Sequence, residues 1–358
     1  MLADLPILSM IIFSPLLGVL ILLFLPKDNG KWIKTVGIAA TFIPLALSVL
    51  LYAAFDNKVQ GTQFAENIRW LHVLLNQEGN LEQYTSYFFE FNYHVAVDGL
   101  SMPLVFLTAL IAAMAALASV HIKKRWKTFY IHFLILEVGM FGVFTAQDLF
   151  LFFLFFELTL IPMFFLIGIW GYMERERAAN RYLIYNGIGS AIMIVAFFIL
   201  VNTAGFTISQ NGQEASIHFS GDVQTIRENL ENPMSLVNVG GLLNPVTGEL
   251  NPFYLSESLK LALFVMLLIA FGIKLPIFPF HTWMLKVHTE APPSVVMIHS
   301  GVLLKMGAYG LIRFGVLLFP EQAKNWALVL AVLGVVNILY GAILAFVQKE
   351  FKLVLAYS

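Results

Sequence analysis

Cysteine is missing from all 358 residues. That excludes disulfides, covalent haem attachment and thiolate-held iron–sulfur clusters from this chain. Charge is scarce as well: Asp, Glu, Lys and Arg supply 12% of the residues, against about a quarter in an ordinary globular domain. No phosphate-cradling glycine pattern occurs, so nucleotide binding has no motif behind it, and no nucleic-acid partner is expected. The first span is not expected to be a cleavable signal peptide. The start MLADLP carries an Asp and no Lys or Arg, a long apolar run follows, and no small-residue cleavage site comes after it.

What fills the chain instead is apolar residues, 59% of the total, with a mean hydropathy of +0.80. A soluble chain of this length might divide into two domains, but apolar runs of 18 or more residues point to membrane spans. Nine complete spans are predicted, at about 4–26, 33–55, 99–120, 128–146, 148–171, 180–203, 258–282, 293–315 and 325–348. EFKLVLAYS (350–358) reads as the entry of a tenth. A half-span cannot satisfy its backbone in lipid, so truncation at Ser358 is expected, with docking of the stub on a partner as the alternative.

The near-zero net charge conceals an asymmetry. Alternating the loops puts 27–34, 121–127, 172–181, 283–292 and 349–352 on one side, with 13 of the 21 Lys and Arg. Lys58, Arg69, Arg227, Lys260, Arg313 and Lys324 fall on the other. By the positive-inside rule the basic loops face the cytoplasm and the N-terminus faces outward.

Two outer segments are long. Residues 56–98 are acidic (Asp56, Glu66, Glu78, Glu82, Glu90), and YFFEFNYHVAVDG alternates as a short interfacial hairpin would. Residues 204–257 are polar and aperiodic, and are expected to form a cap with no chemistry of its own.

The charges left inside predicted spans are the informative ones. Lys274 and Lys305 lie in the seventh and eighth, Glu137 and Glu157 in the fourth and fifth. Each costs about 2.5–3.5 kcal/mol at the centre of a helix in lipid, so four together cost roughly 10 kcal/mol or more by simple addition. Such residues ordinarily face a polar interior that moves ions or protons. The seventh span is expected to break, because Pro276 and Pro279 remove two donors and free the carbonyls of Gly272 and Leu275. Irregular backbone at membrane depth is tolerated only where it is buried in protein or lines a wet cavity. Low dielectric favours the neutral amine of a lysine there, and an approaching carboxylate favours its ammonium. A static interior ion pair of Glu157 with Lys274 is the plainer alternative. His281 and His288, flanking HTWMLKVHTEAPP, suit loop anchoring or proton entry better than a metal site. His132 and His299 are expected to be hydrogen-bonded core residues rather than haem ligands.

Six stretches carry a family resemblance: VDGLSMPLVFLT (97–108), FFELTLIPMFFLIGIWG (155–171), GIKLPIFPFHTW (272–283), HTEAPPSVV (288–296), GVLLKMGAYGLIRFG (301–315) and KLVLAYS (352–358). They closely resemble the antiporter-like proton-pumping subunits of respiratory complex I. The E-x-x-x-I-P-M pattern beginning at Glu157 looks like subunit M, the counterpart of NADH dehydrogenase subunit 4. The resemblance covers roughly 97–358 except the 204–257 segment.

It implies an all-α polytopic membrane fold, an antiporter-like inverted-repeat helix bundle with a broken seventh helix. On that basis residues 1–96 form two helices and an extracytoplasmic loop, 97–127 the third helix and a cytoplasmic loop. Residues 128–315 form the first repeat, and 316–358 the start of a second. The resemblance implies a proton relay of Glu157, Lys274, Lys305 and Glu137, with Glu157 paired to Lys274 and Lys305 next in line. His281 occupies the histidine of the family's H-T-W motif. Where relatives often continue L-P-D-A-H, this chain has MLKVH (284–288), which makes that mouth more basic. The implied complex is an NADH:quinone oxidoreductase of the cell inner membrane. NADH, flavin, iron–sulfur clusters and quinone would sit in partner subunits and no cofactor in this chain, which would pack against neighbouring antiporter-like subunits and lipid. The alternative function is the large subunit of a multi-subunit sodium/proton antiporter, which the I-P-M signature disfavours.

Overall fold

In lipid every backbone N–H and C=O must find an internal partner, and long Leu-, Ile- and Phe-rich runs meet that demand as helices. The computed structural model describes residues 5–80, 83–211, 214–244 and 249–358. Met1–Asp4 and Glu82 lie outside the described residues. The chain runs α1 (Ile7–Phe24), α2 (Gly30–Ala54), β1 (Gln63–Asn80), β2 (Gln83–Val97), α3 (Ser101–Ala118), α4 (Trp126–Thr145), α5 (Leu149–Trp170) and α6 (Arg175–Ala204). It continues through β3 (Phe206–Asn211), β4 (Glu214–Ser220), α7 (Val223–Glu231), β5 (Leu242–Asn244), β6 (Glu249–Leu250), α8 (Glu257–Lys274) and α9 (Thr282–Glu290). Then come α10 (Pro293–Ile298), α11 (Leu304–Gly310), α12 (Pro320–Asn325), α13 (Ala327–Val347) and α14 (Phe351–Tyr357).

Eight helices among the described residues are long and apolar enough to cross a membrane. They are α1 to α6, the continuous stretch Pro293–Val316 that contains α10 and α11, and α13. The seventh expected span is α8, which is less apolar because it carries Glu257, Lys260 and Lys274. The bundle makes this a multi-pass membrane protein, and its buried apolar side chains form one continuous core from α1 through Pro293–Val316. By contrast, α13 buries none of its own residues. α14 lies against α9 and α13, with the Lys352 ammonium donating to the Thr289 carbonyl at 3.2 Å.

Short polar residues set the helix starts. The Asp148 carboxylate accepts from the N–H groups of Phe150 and Leu151, capping α5. Asp222 does the same for α7 through Thr225, and Ser256 for α8 through Leu259. The basic loops dock on helix ends. Lys127 donates to the carbonyls of Leu23 and Leu25 at the end of α1, where lone C=O groups favour a cation.

Among the described residues, the segments 56–98 and 204–257 are more ordered than composition suggests. The hairpin β1–β2 is long rather than short, pairing Gln63 with Val97 and Asn80 with Gln83. Strand β4 joins β2 in parallel, from Tyr84 opposite Glu214 to Glu90 opposite Ser220, and β3 completes the order β1-β2-β4-β3. A single sheet thus knits residues 63–97 to 206–220. The helical fold class holds, and the sheet adds to it outside the spans, where the extended segments satisfy their backbone groups by pairing with each other.

Candidate functional site

The seventh span breaks where its prolines predict. α8 ends at Lys274, and helix resumes only at Thr282. The freed Gly272 carbonyl is re-engaged, since the Ile277 N–H donates to it at 2.9 Å, which corrects the expectation that it is left free. The indole N–H of Trp283 donates to the Ile273 carbonyl at 3.0 Å, so α9 folds back under the break. Gly307 of α11 faces the same place. A Cβ there would fall 2.6 Å from the Leu275 nitrogen and 2.9 Å from the Phe271 carbonyl oxygen, so only glycine lets the two helices meet.

Lys274 is 2% exposed. Its ammonium nitrogen has no hydrogen-bond partner among the described residues and stands 4.8 Å from the Phe156 ring centre and 5.6 Å from that of Tyr182. The aromatic faces offer it a weak cation–π contact in place of a counter-ion. The static Glu157–Lys274 ion pair is therefore absent, because Glu157 Oε1 is likewise buried without a partner. Glu157 lines a largely apolar groove of about 710 Å³ with Trp70, Phe91, Phe150, Leu154 and Ile194. Glu137 on α4 is wholly buried, and neither of its carboxylate oxygens is bonded among the described residues.

Residues that sequence reasoning passed over complete the interior. Tyr182, Asn186 and Ser190 follow one face of α6 at four-residue spacing, and each buries a side-chain oxygen without a partner among the described residues. Their signal was present: three polar residues at i, i+4 and i+8, running from Tyr182 into the apolar part of the helix. His288 Nε2 and His299 Nδ1 lie 2.9 Å apart, and His299 packs edge-on against Trp283 and Tyr182. His281 turns instead toward Phe278 and Tyr340, so His281 and His288 do not share a site. His132 bonds its own helix at the Thr128 carbonyl, away from His299.

The eighth span is less regular than its pattern suggests. Wider π turns occupy His299–Leu303 and Leu311–Val316, a feature frequent at functional sites. Lys305 follows the first and donates to the Ser300 carbonyl. It is exposed on this chain rather than buried, which corrects the count of four interior charges. Arg313, read from sequence as an outer-side cation, is instead 8% exposed and takes a place among the buried charges.

Arg313 donates to Asp98 at 2.6 Å and to the Tyr309 hydroxyl at 3.3 Å. Beside that pair, His94, Gln147 and Asp222 line a polar cavity of about 360 Å³. Burial pushes the Asp98 carboxyl up, but the Arg313 charge and bonds from Ser101 and Arg313 outweigh it and leave Asp98 below the usual range. Burial acts against Asp222 in the same way, and bonds from His94 and Thr225 bring it below normal. Asp148 has no such cation in contact. Burial raises it to about 6, opposed by the two capping N–H groups and assisted by the neighbouring Asp222.

The chain that carries this broken helix and interior lysine matches known families along its length. Residues 146–358 fit the model of the NADH:quinone oxidoreductase/Mrp antiporter transmembrane family, and 68–145 fit the amino terminus of NADH-ubiquinone oxidoreductase chain 4. The chain belongs to this family. It is 36% identical over 358 residues to NAD(P)H-quinone oxidoreductase chain 4 3 of Trichormus variabilis, covering 100% of this chain and 57% of that one. With chain 4 1 of Synechococcus elongatus it shares 38% over 354 residues, 99% of this chain and 57% of the relative. The chain thus spans 57% of the length of these curated relatives. The fold matches a chain of respiratory complex I from Thermus thermophilus with a TM-score of 0.71 at 24% identity, over 98% of this chain and 61% of that one. A chain of the membrane-bound sulfane sulfur reductase, an archaeal respiratory complex, matches with the same score and identity over 98% and 49%.

Within this antiporter-type family frame, the structure brings Lys274, Phe156, Tyr182, Trp283 and His299 into one interior neighbourhood. It leaves Lys305 on the surface of this chain and His281 on the far side of the break.

Proposed function

We propose that this chain relays protons across the cell inner membrane as a subunit of an NADH:quinone oxidoreductase. The redox chemistry would belong to partner subunits holding NADH, flavin, iron–sulfur clusters and quinone, with no cofactor in this chain. Neighbouring antiporter-like subunits are its partners. The N-terminus faces outward and the basic loops 27–34, 121–127 and 172–181 face the cytoplasm, on the charge asymmetry alone. Residues 128–315 would act as one channel unit, with 1–96 and 97–127 flanking it and 316–358 leading out of it.

The observation that carries this reading is the Lys274 ammonium, buried at a helix break and without a hydrogen-bond partner. In such surroundings the charged and neutral forms differ by the approach of one carboxylate. Glu157, also unpartnered, is the group assigned to make that approach. Lys274 would hold its proton when Glu157 is near and pass it on when Glu157 withdraws. Tyr182, Asn186 and Ser190 supply unpaired oxygens along the interior face of α6, His288 and His299 a polar contact below the break, and Lys305 the next station. Glu137 is the acid on the neighbouring helix, and His281 is assigned to proton entry.

The test is proton translocation per quinone reduced in the assembled complex in vesicles. Glu157→Gln and Lys274→Met should each abolish or severely reduce pumping. Full pumping in both variants at normal quinone reduction would refute the relay. The family's antiporter members supply a second reading. Sodium-dependent proton transport without NADH oxidation would establish it in place of the first.

A further inference from the structure

Three side chains on the outer sheet converge where no part of the proposed relay requires them. His72 of β1 sits opposite Glu90 of β2 in the antiparallel register. His218 of β4 sits opposite Phe88, two residues from Glu90, and so shares its face of the sheet. Glu90 is buried, its side chain only 10% exposed. Its Oε1 lies 2.8 Å from His218 Nδ1 and 3.5 Å from His72 Nε2. One ligand atom from each of the three residues lies within 4.8 Å of the others.

The surroundings hold this set in place. Phe88 stacks on both imidazoles, with ring centres 4.5 Å from His72 and 4.9 Å from His218, so the rings stand nearly parallel. The second nitrogen of His218, Nε2, lies 3.0 Å from the Ser216 hydroxyl, itself 2.7 Å from that of Ser209. If Nε2 carries the hydrogen, Nδ1 presents its lone pair toward Glu90. Histidine ligands are ordinarily fixed by such an outer partner. Arg69 also approaches Glu90 at 3.5 Å, but its side chain is 60% exposed and free to turn outward.

We propose that His72, Glu90 and His218 form a binding site for a divalent transition-metal ion of the zinc class. Two imidazoles and one carboxylate are a zinc donor set, with water as the fourth ligand at the exposed His72 edge. The same donors disfavour magnesium and calcium, which take oxygen ligands. Zinc needs ligand distances of about 2.0–2.2 Å, which the side chains reach by closing on a common centre. Both atoms must give up any proton held between them before they ligate the ion. The ion would join three strands, and with them the segments 56–98 and 204–257, into one stapled cap.

The full chain, purified in detergent through a tag without histidine and stripped with a chelator, is titrated with zinc sulfate in a calorimeter. One equivalent should bind, with an affinity in the micromolar range or tighter, and should slow proteolysis of both outer segments. His72→Gln and His218→Gln should each weaken binding more than about 100-fold, Ser216→Ala about 10-fold, and His121→Gln not at all. Cobalt(II) added to the wild-type chain should give the visible absorption of a four-coordinate site, a readout that needs no variant. Zinc bound as tightly by the His72→Gln/His218→Gln double variant, or wild-type binding no tighter than about 1 mM, would overturn the proposal.

Discussion

Arg313 in the eighth span and Asp98 at the entry to the third meet at 2.6 Å, closing one end of the bundle with a largely buried ion pair. Asp98 also accepts from the N–H groups of Leu100 and Ser101, so one carboxylate starts α3 and anchors a distant helix. Removing one member of a buried pair strands the other charge, at about 3–5 kcal/mol when burial is complete. Asp98 keeps 19% side-chain exposure, so Arg313→Ala is expected to cost about 2–4 kcal/mol. Thermal unfolding in detergent reads this, and a double-mutant cycle with Asp98→Asn should show strong coupling. Additive effects would disprove the pairing.

Arg313 also marks where sequence reasoning stops. The spans were legible because helices in lipid must be long and apolar, and the break at Lys274 because proline removes donors. Burial was legible for Lys274 and Glu137 but not for every charge. Arg313 looked like an outer-side cation and is buried, while Lys305 looked interior and is exposed on this chain. Both assignments depend on which helix packs beside the residue, and periodicity does not encode that. The sheet was missed for a related reason. Pairing of Glu90 with Ser220 joins residues 130 positions apart through cross-strand contacts, which leave little local trace.

Gly307 should tolerate no side chain. Even Gly307→Ala must push α11 away from the α8 backbone at Phe271 and Leu275, next to Lys274. Overpacking of this kind costs about 1–3 kcal/mol. The expected result is a lower unfolding midpoint together with reduced proton pumping by the assembled complex. Wild-type values for both would show that the helices separate without consequence.

Tyr182 separates two roles of one side chain. Its ring lies 5.6 Å from the Lys274 ammonium, and its hydroxyl has no partner among the described residues. A desolvated cation–π contact is worth about 2 kcal/mol. Tyr182→Leu removes ring and hydroxyl, whereas Tyr182→Phe removes the hydroxyl alone. Pumping is expected to fall in both and further in the leucine variant. Equal loss would assign the whole effect to the hydroxyl, and no loss in either would remove Tyr182 from the interior path.

Asp148 gives a pH dependence with a definite sign. Its carboxyl is raised by burial from an ordinary 3.8 to about 6, so the folded chain binds its proton more tightly than the unfolded chain does. Stability from this group is therefore greatest below about pH 4 and is lost as pH rises through about 6. The difference corresponds to about 3 kcal/mol at 1.36 kcal/mol per unit. Asp148→Asn keeps an oxygen to cap Phe150 and Leu151 but cannot ionise. Relative to wild type, the variant should gain stability steadily between about pH 4 and pH 6 and hold that gain above it. Comparing the two in one denaturation series cancels the opposite slope of Asp98, which Asp148 does not perturb, and leaves Asp222, whose carboxyl already lies below normal, with one carboxylate fewer beside it. A difference that stays flat across that range, or falls with rising pH, would show that the Asp148 carboxylate is not strained by its burial.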